Sequence, residues 1–260
     1  MLTGRNMYWL IPAIVLPLIG LAIYVPRRMK HRMRAALFIK CGLSVGFIMY
    51  ALFAAYRLSD VGVVAPWAVT IALFTIAGMV FGLLGDVWLD LKDMDLPRQR
   101  YFMFAGFASF MCGHLVFVLG MGLAYRLPLR VWALALAVGV AFTIANLALE
   151  RPLSQRFGDY RWIVAVYGGV IGVATALPIA HAIAISAKPD HSWQPAIFAV
   201  GMVLFLLSDL VLARIYFHTD PAVANRPINY VLNYLFYFGA QYTLALSLYF
   251  LPYAGLPPRA

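Results

Sequence analysis

Charge is scarce in this chain: 12% of its 260 residues are Asp, Glu, Lys or Arg, about half the usage of an ordinary soluble domain. That scarcity excludes a cytosolic enzyme, a nucleic-acid-binding domain and a disordered chain. Cysteine is also scarce. Cys41 and Cys112 both fall inside apolar runs, so the chain has neither a disulfide framework nor metal-type spacing. There is no GxSxG elbow, no HExxH, no Walker loop and no N-x-[ST] acceptor, which leaves serine-hydrolase and zinc-protease readings without support. No connection is long enough to hold a soluble domain.

Apolar sequence fills the space instead. Hydrophobic residues make up 64% of the chain and the mean hydropathy is +0.85. A spanning helix needs about 20 mostly apolar residues, and eight such segments occur, near 7–25, 35–57, 66–89, 101–124, 131–149, 162–186, 196–217 and 228–251. The expected class is an all-α integral membrane protein of eight transmembrane helices, forming one domain over residues 1–260. The first segment lacks a basic leader and a small-residue cleavage site, so it reads as a retained span. The net charge of +10 lies in and at the edges of the breaks between spans: 13 Lys and Arg fall in alternate connections or the span ends beside them, against 6 in or beside the others and the termini. The positive-inside rule then puts both termini outside the cytoplasm, as in a bacterial inner membrane.

An internal repeat is visible. Residues 78–89 read GMVFGLLGDVWL and residues 201–212 read GMVLFLLSDLVL, identical at seven of twelve positions including Asp86 and Asp209. The two spans run in the same direction, which suggests parallel four-helix repeats, 1–127 and 128–260, around a central polar pocket. At similar offsets Lys40 falls opposite Tyr167, and His114 opposite Gln241.

Ionisable residues inside spans cost about 2.5–3.5 kcal/mol each at mid-bilayer and are functional candidates by default. Here they are Lys40, Asp86, Asp90, His114 and Asp209, with Asn146 and Gln241 as polar companions. Gly78, Gly82, Asp86 and Asp90 follow at i+4, a face that packs against a neighbouring helix. Ser208 sits beside Asp209, and Asn229, Asn233, Tyr237 and Gln241 form an i+4 stripe along the last span. Thr143, Asn146 and Glu150 share a face of the fifth. Lipid cannot satisfy these groups, so the faces must meet. Lys40, Asp86, Tyr167 and Asp209 fall in one layer, roughly 8–12 Å below the cytoplasmic interface at 1.5 Å per residue. Bland readings compete: Asp90 suits a solvated helix end, Lys40 a snorkelling side chain, His114 simple packing, and the last-span stripe interhelical hydrogen bonding.

The order of these residues carries a resemblance. Lys40 is followed by Gly85-Asp86-x-x-Leu89, then Gly106…Phe110…Gly113-His114, Tyr167, Gly201…Phe205…Ser208-Asp209…Leu212-Ala213, and Tyr237…Ala240-Gln241. Over nearly the whole chain this resembles the YhhN family, the lysoplasmalogenases. The resemblance implies hydrolysis of the sn-1 vinyl-ether bond of a lysoplasmalogen, releasing a fatty aldehyde and a glycerophospho-ethanolamine or -choline. Its partners would be a lysophospholipid and water, with no cofactor and no metal. Enol-ether hydrolysis needs an acid to protonate carbon and an anion to stabilise the resulting oxocarbenium ion, a task glycosidases give to paired carboxylates. Asp86 and Asp209 are the expected pair, with Lys40, Asp90, His114, Asn146, Tyr167, Ser208, Asn233, Tyr237 and Gln241 around the substrate. A proton-coupled lipid or small-molecule transporter is the competing reading of the same buried carboxylates.

Overall fold

The computed structural model describes residues 10–57, 65–186 and 193–251. They form eight long helices and one short one: α1 (Leu10–Met29), α2 (Met33–Tyr56), α3 (Pro66–Leu91), α4 (Gln99–Tyr125), α5 (Leu129–Leu149), α6 (Arg161–Ser186), α7 (Gln194–Phe217), the single-turn α8 (Pro221–Ala224) and α9 (Pro227–Ser247). The helices begin close to where the hydropathy places the spans; residues 7–9 of the first expected span lie outside the described residues. Among the described residues, six helical segments, covering α2 to α7, are long and apolar enough to cross a membrane. α1 and α9 are helical over 20 and 21 residues. Prolines open α3 and α9, where the fixed φ suits a first turn and the missing N–H is not needed. α4 ends on Arg126 in the left-handed region, at φ 47°, a conformation that closes many helices.

The exterior is apolar. Leu129 is 82% exposed and Phe38 77%, which suits lipid contact and not water. Inside the bundle α3 packs on α4, α5 on α6, and α7 on α9; α2 bridges α3 and α9, while α6 bridges α7 and α4. Small residues allow the closest crossings. A Cβ on Gly113 of α4 would stand 2.9 Å from the Gly78 carbonyl of α3, and one on Gly139 of α5 2.8 Å from the Gly169 carbonyl of α6. Gly78 itself faces Phe117, and Gly82 faces Gln241 and Tyr237, so the glycine face of α3 meets two neighbours, α4 and α9.

The connections are braced by polar caps. Asp220 caps α8 through the Ala222 N–H at 2.8 Å, and Glu150 accepts the Phe157 N–H at 2.9 Å. Glu150 therefore organises the α5–α6 connection and does not join the central layer with Thr143 and Asn146. Asn229 likewise donates to the Val223 and Ala224 carbonyls at 2.8 and 2.9 Å, closing the turn before α9.

Gly113→Val should lower the thermal midpoint of the detergent-solubilised protein by several degrees, since overpacking a tight contact costs about 1–3 kcal/mol. Gly42, which has nothing within 4 Å of a built Cβ, should tolerate alanine with no change in the same thermal scan.

Candidate active site

Two aspartate-centred clusters lie inside the bundle, one buried and one partly buried. The first centres on Asp86 of α3, 1% exposed. Its Oδ1 lies 2.9 Å from Lys40 Nζ of α2, and its Oδ2 accepts the Ser44 hydroxyl at 2.8 Å and the Tyr237 hydroxyl of α9 at 2.7 Å. Gln241 Nε2, one turn along α9, donates to the Tyr237 oxygen at 3.3 Å. Gly82 makes room for this: a Cβ there would stand 2.7 Å from Gln241 Nε2.

The second centres on Asp209 of α7. Its Oδ2 accepts the Tyr167 hydroxyl of α6 at 2.5 Å and lies 3.9 Å from His114 Nε2 of α4. The same His114 nitrogen is 3.2 Å from the Tyr167 oxygen. Each aspartate thus takes one partner from the helix before it (Lys40 or Tyr167) and one from across the bundle (Tyr237 or His114). Tyr237 donates to Asp86 and also packs edge to face against Phe205, one turn before Asp209 on α7. Phe110, Phe205 and Tyr237 meet edge to face with ring centroids 5.4–6.0 Å apart, and with Phe117 against Phe198 they pack the bundle beside the clusters.

Their surroundings differ. Asp86 is enclosed. Asp209 borders a narrow cavity of about 50 Å³ together with Tyr167, Asn146, Phe110 and Gly168; a water needs about 10–15 Å³ of such space. The cavity reaches Leu210, 44% exposed on the apolar exterior. Asn146 packs on Gly168, where a Cβ would collide with its Nδ2.

The competing readings separate here. Asp90 is 3% exposed and 3.6 Å from Lys40 Nζ, so it is no solvated helix end, and Lys40 turns inward to two carboxylates and does not snorkel. His114 is 1% exposed and hydrogen-bonded. The α9 stripe divides: Asn233 Nδ2 donates to the Ser208 carbonyl and hydroxyl, both at 3.0 Å, which ties α9 to α7, whereas Tyr237 and Gln241 join Asp86. Asp86 and Asp209 are not in a shared hydrogen bond; two tyrosines stand between them.

Sequence reasoning missed Arg28. It reads as one more charge in the basic cluster after α1, yet it is 8% exposed and 3.6 Å from Asp90 Oδ1, and it pairs closely with Asp93. The available signal was the surplus of acids at the end of α3: Asp86, Asp90 and Asp93 need more than Lys40 to balance them. Among the described residues no group of three His, Cys, Asp or Glu is placed to hold a metal.

Residues 35–248 match the YhhN family. No curated protein and no solved structure matches the chain.

Removing one partner of a buried ion pair costs about 3–5 kcal/mol, because the other charge stays uncompensated. Lys40→Met should therefore destabilise the protein more than the Lys40→Met/Asp86→Asn double variant does. Additive losses in a thermal or denaturant melt would contradict the pairing.

Proposed function

The chain belongs to the YhhN family, which includes lysoplasmalogenases, and on that premise we propose that it is a membrane ether hydrolase cleaving the sn-1 vinyl ether of a lysoplasmalogen. The observation that carries the reading is the unequal surroundings of two aspartates, Asp86 buried and Asp209 partly buried. Asp86 is held by the Lys40 ammonium. Asp209 has no Lys or Arg beside it among the described residues and borders a cavity with room for water.

The roles follow from those surroundings. Asp209, in its protonated form, delivers a proton to the β-carbon of the enol ether, and its Oδ2 keeps the Tyr167 hydroxyl as donor. The vinyl π electrons form the new C–H bond and the ether oxygen shares the positive charge left on the adjacent carbon. Asp86, ionised against Lys40 and hydrogen-bonded by Tyr237, supplies the negative field that stabilises this cation in a low-dielectric site. Water adds to the cationic carbon and gives up its proton to the Asp209 carboxylate, with His114 close to both Asp209 and Tyr167. The hemiacetal then collapses to aldehyde and glycerophosphodiester, so one water is consumed and Asp209 returns to its starting state.

The same reading extends to architecture. α1 and α9 complete eight spans, and the parallel repeat is supported by matched packing: α2 on α3 and α9 mirrors α6 on α7 and α4. The basic connections support an aspartate layer in the cytoplasmic leaflet, where the sn-1 linkage of a lysolipid lies just below its head group. The aromatic packing beside the clusters favours hydrolysis over transport, which needs a route to both faces.

Purified wild-type protein should release aldehyde from lysoplasmenylethanolamine and none from the saturated ether analogue. Asp86→Asn and Asp209→Asn should each lose about 10²–10⁴-fold in kcat, the range of general acid–base contributions. Full turnover in both variants, with melts like wild type, would remove the mechanism.

A further inference from the structure

A second pocket goes unused by this chemistry. It opens where the ends of α1, α3 and α7 meet the start of α9, and measures about 450 Å³, within the roughly 300–1,000 Å³ of small-molecule sites. Arg28, Lys92, Asp93, Tyr216, Asn225 and Tyr230 line it. α7 divides it from the Asp209 cavity, since Ile215 and Tyr216 face this pocket while Leu212, Ala213 and Phe217 face the other.

Both cations in its wall are buried, Arg28 at 8% and Lys92 at 5% exposure, and such residues are almost never buried unless paired. Their pairing is shared. Asp93 serves Lys92 at 2.6 Å and Arg28 at once, and Asp90 stands 3.6 Å from both Arg28 and Lys40. The lining itself therefore carries Arg28 and Lys92 against one carboxylate, Asp93. His31 lies on the same rim, and Arg32 and Arg34 border the adjoining groove. Burial pulls Lys92 below its ordinary pKa in spite of Asp93, so its ammonium gains from a further anion in the pocket.

We propose that this pocket binds the phosphate of a single-chain phospholipid head group, with Arg28 and Lys92 as its ligands. The guanidinium offers a planar fork to phosphate oxygens and the ammonium a point charge. Tyr216, 4.3 Å from Lys92 Nζ measured at its ring centroid, fixes where that ammonium points. Lys92 lies six residues beyond Asp86, about 9 Å at 1.5 Å per residue. The Arg28–Asp90–Lys40–Asp86 chain of charges connects the pocket floor to the catalytic layer. The identity of the lipid rests on the hydrolase reading; the phosphate site does not.

The test is binding without turnover, read as the thermal-midpoint shift of the full-length protein in nanodiscs. Four probes are compared: a saturated sn-1 ether lysophosphoethanolamine, glycerophosphoethanolamine, inorganic phosphate, and the matching alkylglycerol that lacks phosphate. The ether lysolipid should stabilise the wild type and the alkylglycerol should not. Lys92→Gln should weaken the lysolipid at least tenfold, Lys92→Arg should restore most of it, and Asp93→Asn, which removes the competing carboxylate, should tighten it. The opposite signs of Lys92→Gln and Asp93→Asn exclude a general folding effect. Equal shifts from glycerophosphoethanolamine or phosphate would uphold the phosphate site and assign it to a soluble ligand in place of a lipid. Equal shifts from the alkylglycerol, or no loss in Lys92→Gln, would overturn it. Aldehyde release from lysoplasmenylethanolamine, measured on the same wild-type sample, separates failure of this site from failure of the hydrolase reading.

Discussion

A carboxylate and an ammonium 2.9 Å apart inside an apolar bundle, Asp86 and Lys40, set the terms for the rest of the structure. Neither charge survives there alone, because uncompensated ions cost several kcal/mol in such surroundings. The remaining lone pairs of Asp86 take Ser44 from α2 and Tyr237 from α9, which requires three helices to meet at one level. Gly82 is the geometric condition for that meeting, since any side chain there would strike Gln241.

Asp209 has different surroundings. Where Lys40 pairs with Asp86, Tyr167 offers Asp209 a hydrogen bond. His114 lies 3.9 Å from Asp209, whereas Gln241 reaches Asp86 only through Tyr237. One fold thus supplies two carboxyl groups in different settings, one enclosed and paired with a lysine, the other beside a tyrosine and a histidine at the edge of a cavity. Under the proposed mechanism that difference gives the two aspartates different roles.

Much of this was legible in the sequence, for definite reasons. Hydropathy reveals the helices because lipid imposes one length scale on each of them. The central residues stand out because charge inside a span is costly and rare. What hydropathy cannot supply is the partner of each group. Asn233 and Ser208 share the stripe and the neighbourhood of the site residues, yet they bond to each other and fasten α7 to α9. Glu150 and Asn229 have the right spacing and serve connections instead. Arg28 was hidden for the opposite reason: a basic residue just after a span is what topology alone demands, so its burial against Asp90 and Asp93 leaves no separate mark. The separation of the two aspartates by Tyr237 and Tyr167 was likewise beyond any periodicity argument, since it depends on how α6 and α9 cross the pair.

The proposed chemistry turns on protonation of carbon by a carboxylic acid, a step that isotope transfer from solvent reports. Turnover of lysoplasmenylethanolamine in D₂O, with the aldehyde reduced as it forms, should place one deuterium on the carbon next to the former aldehyde. The rate should also be slower than in H₂O, because the proton moves in the limiting step. Alcohol without deuterium at that carbon, or no substrate conversion by the folded protein, would contradict the account.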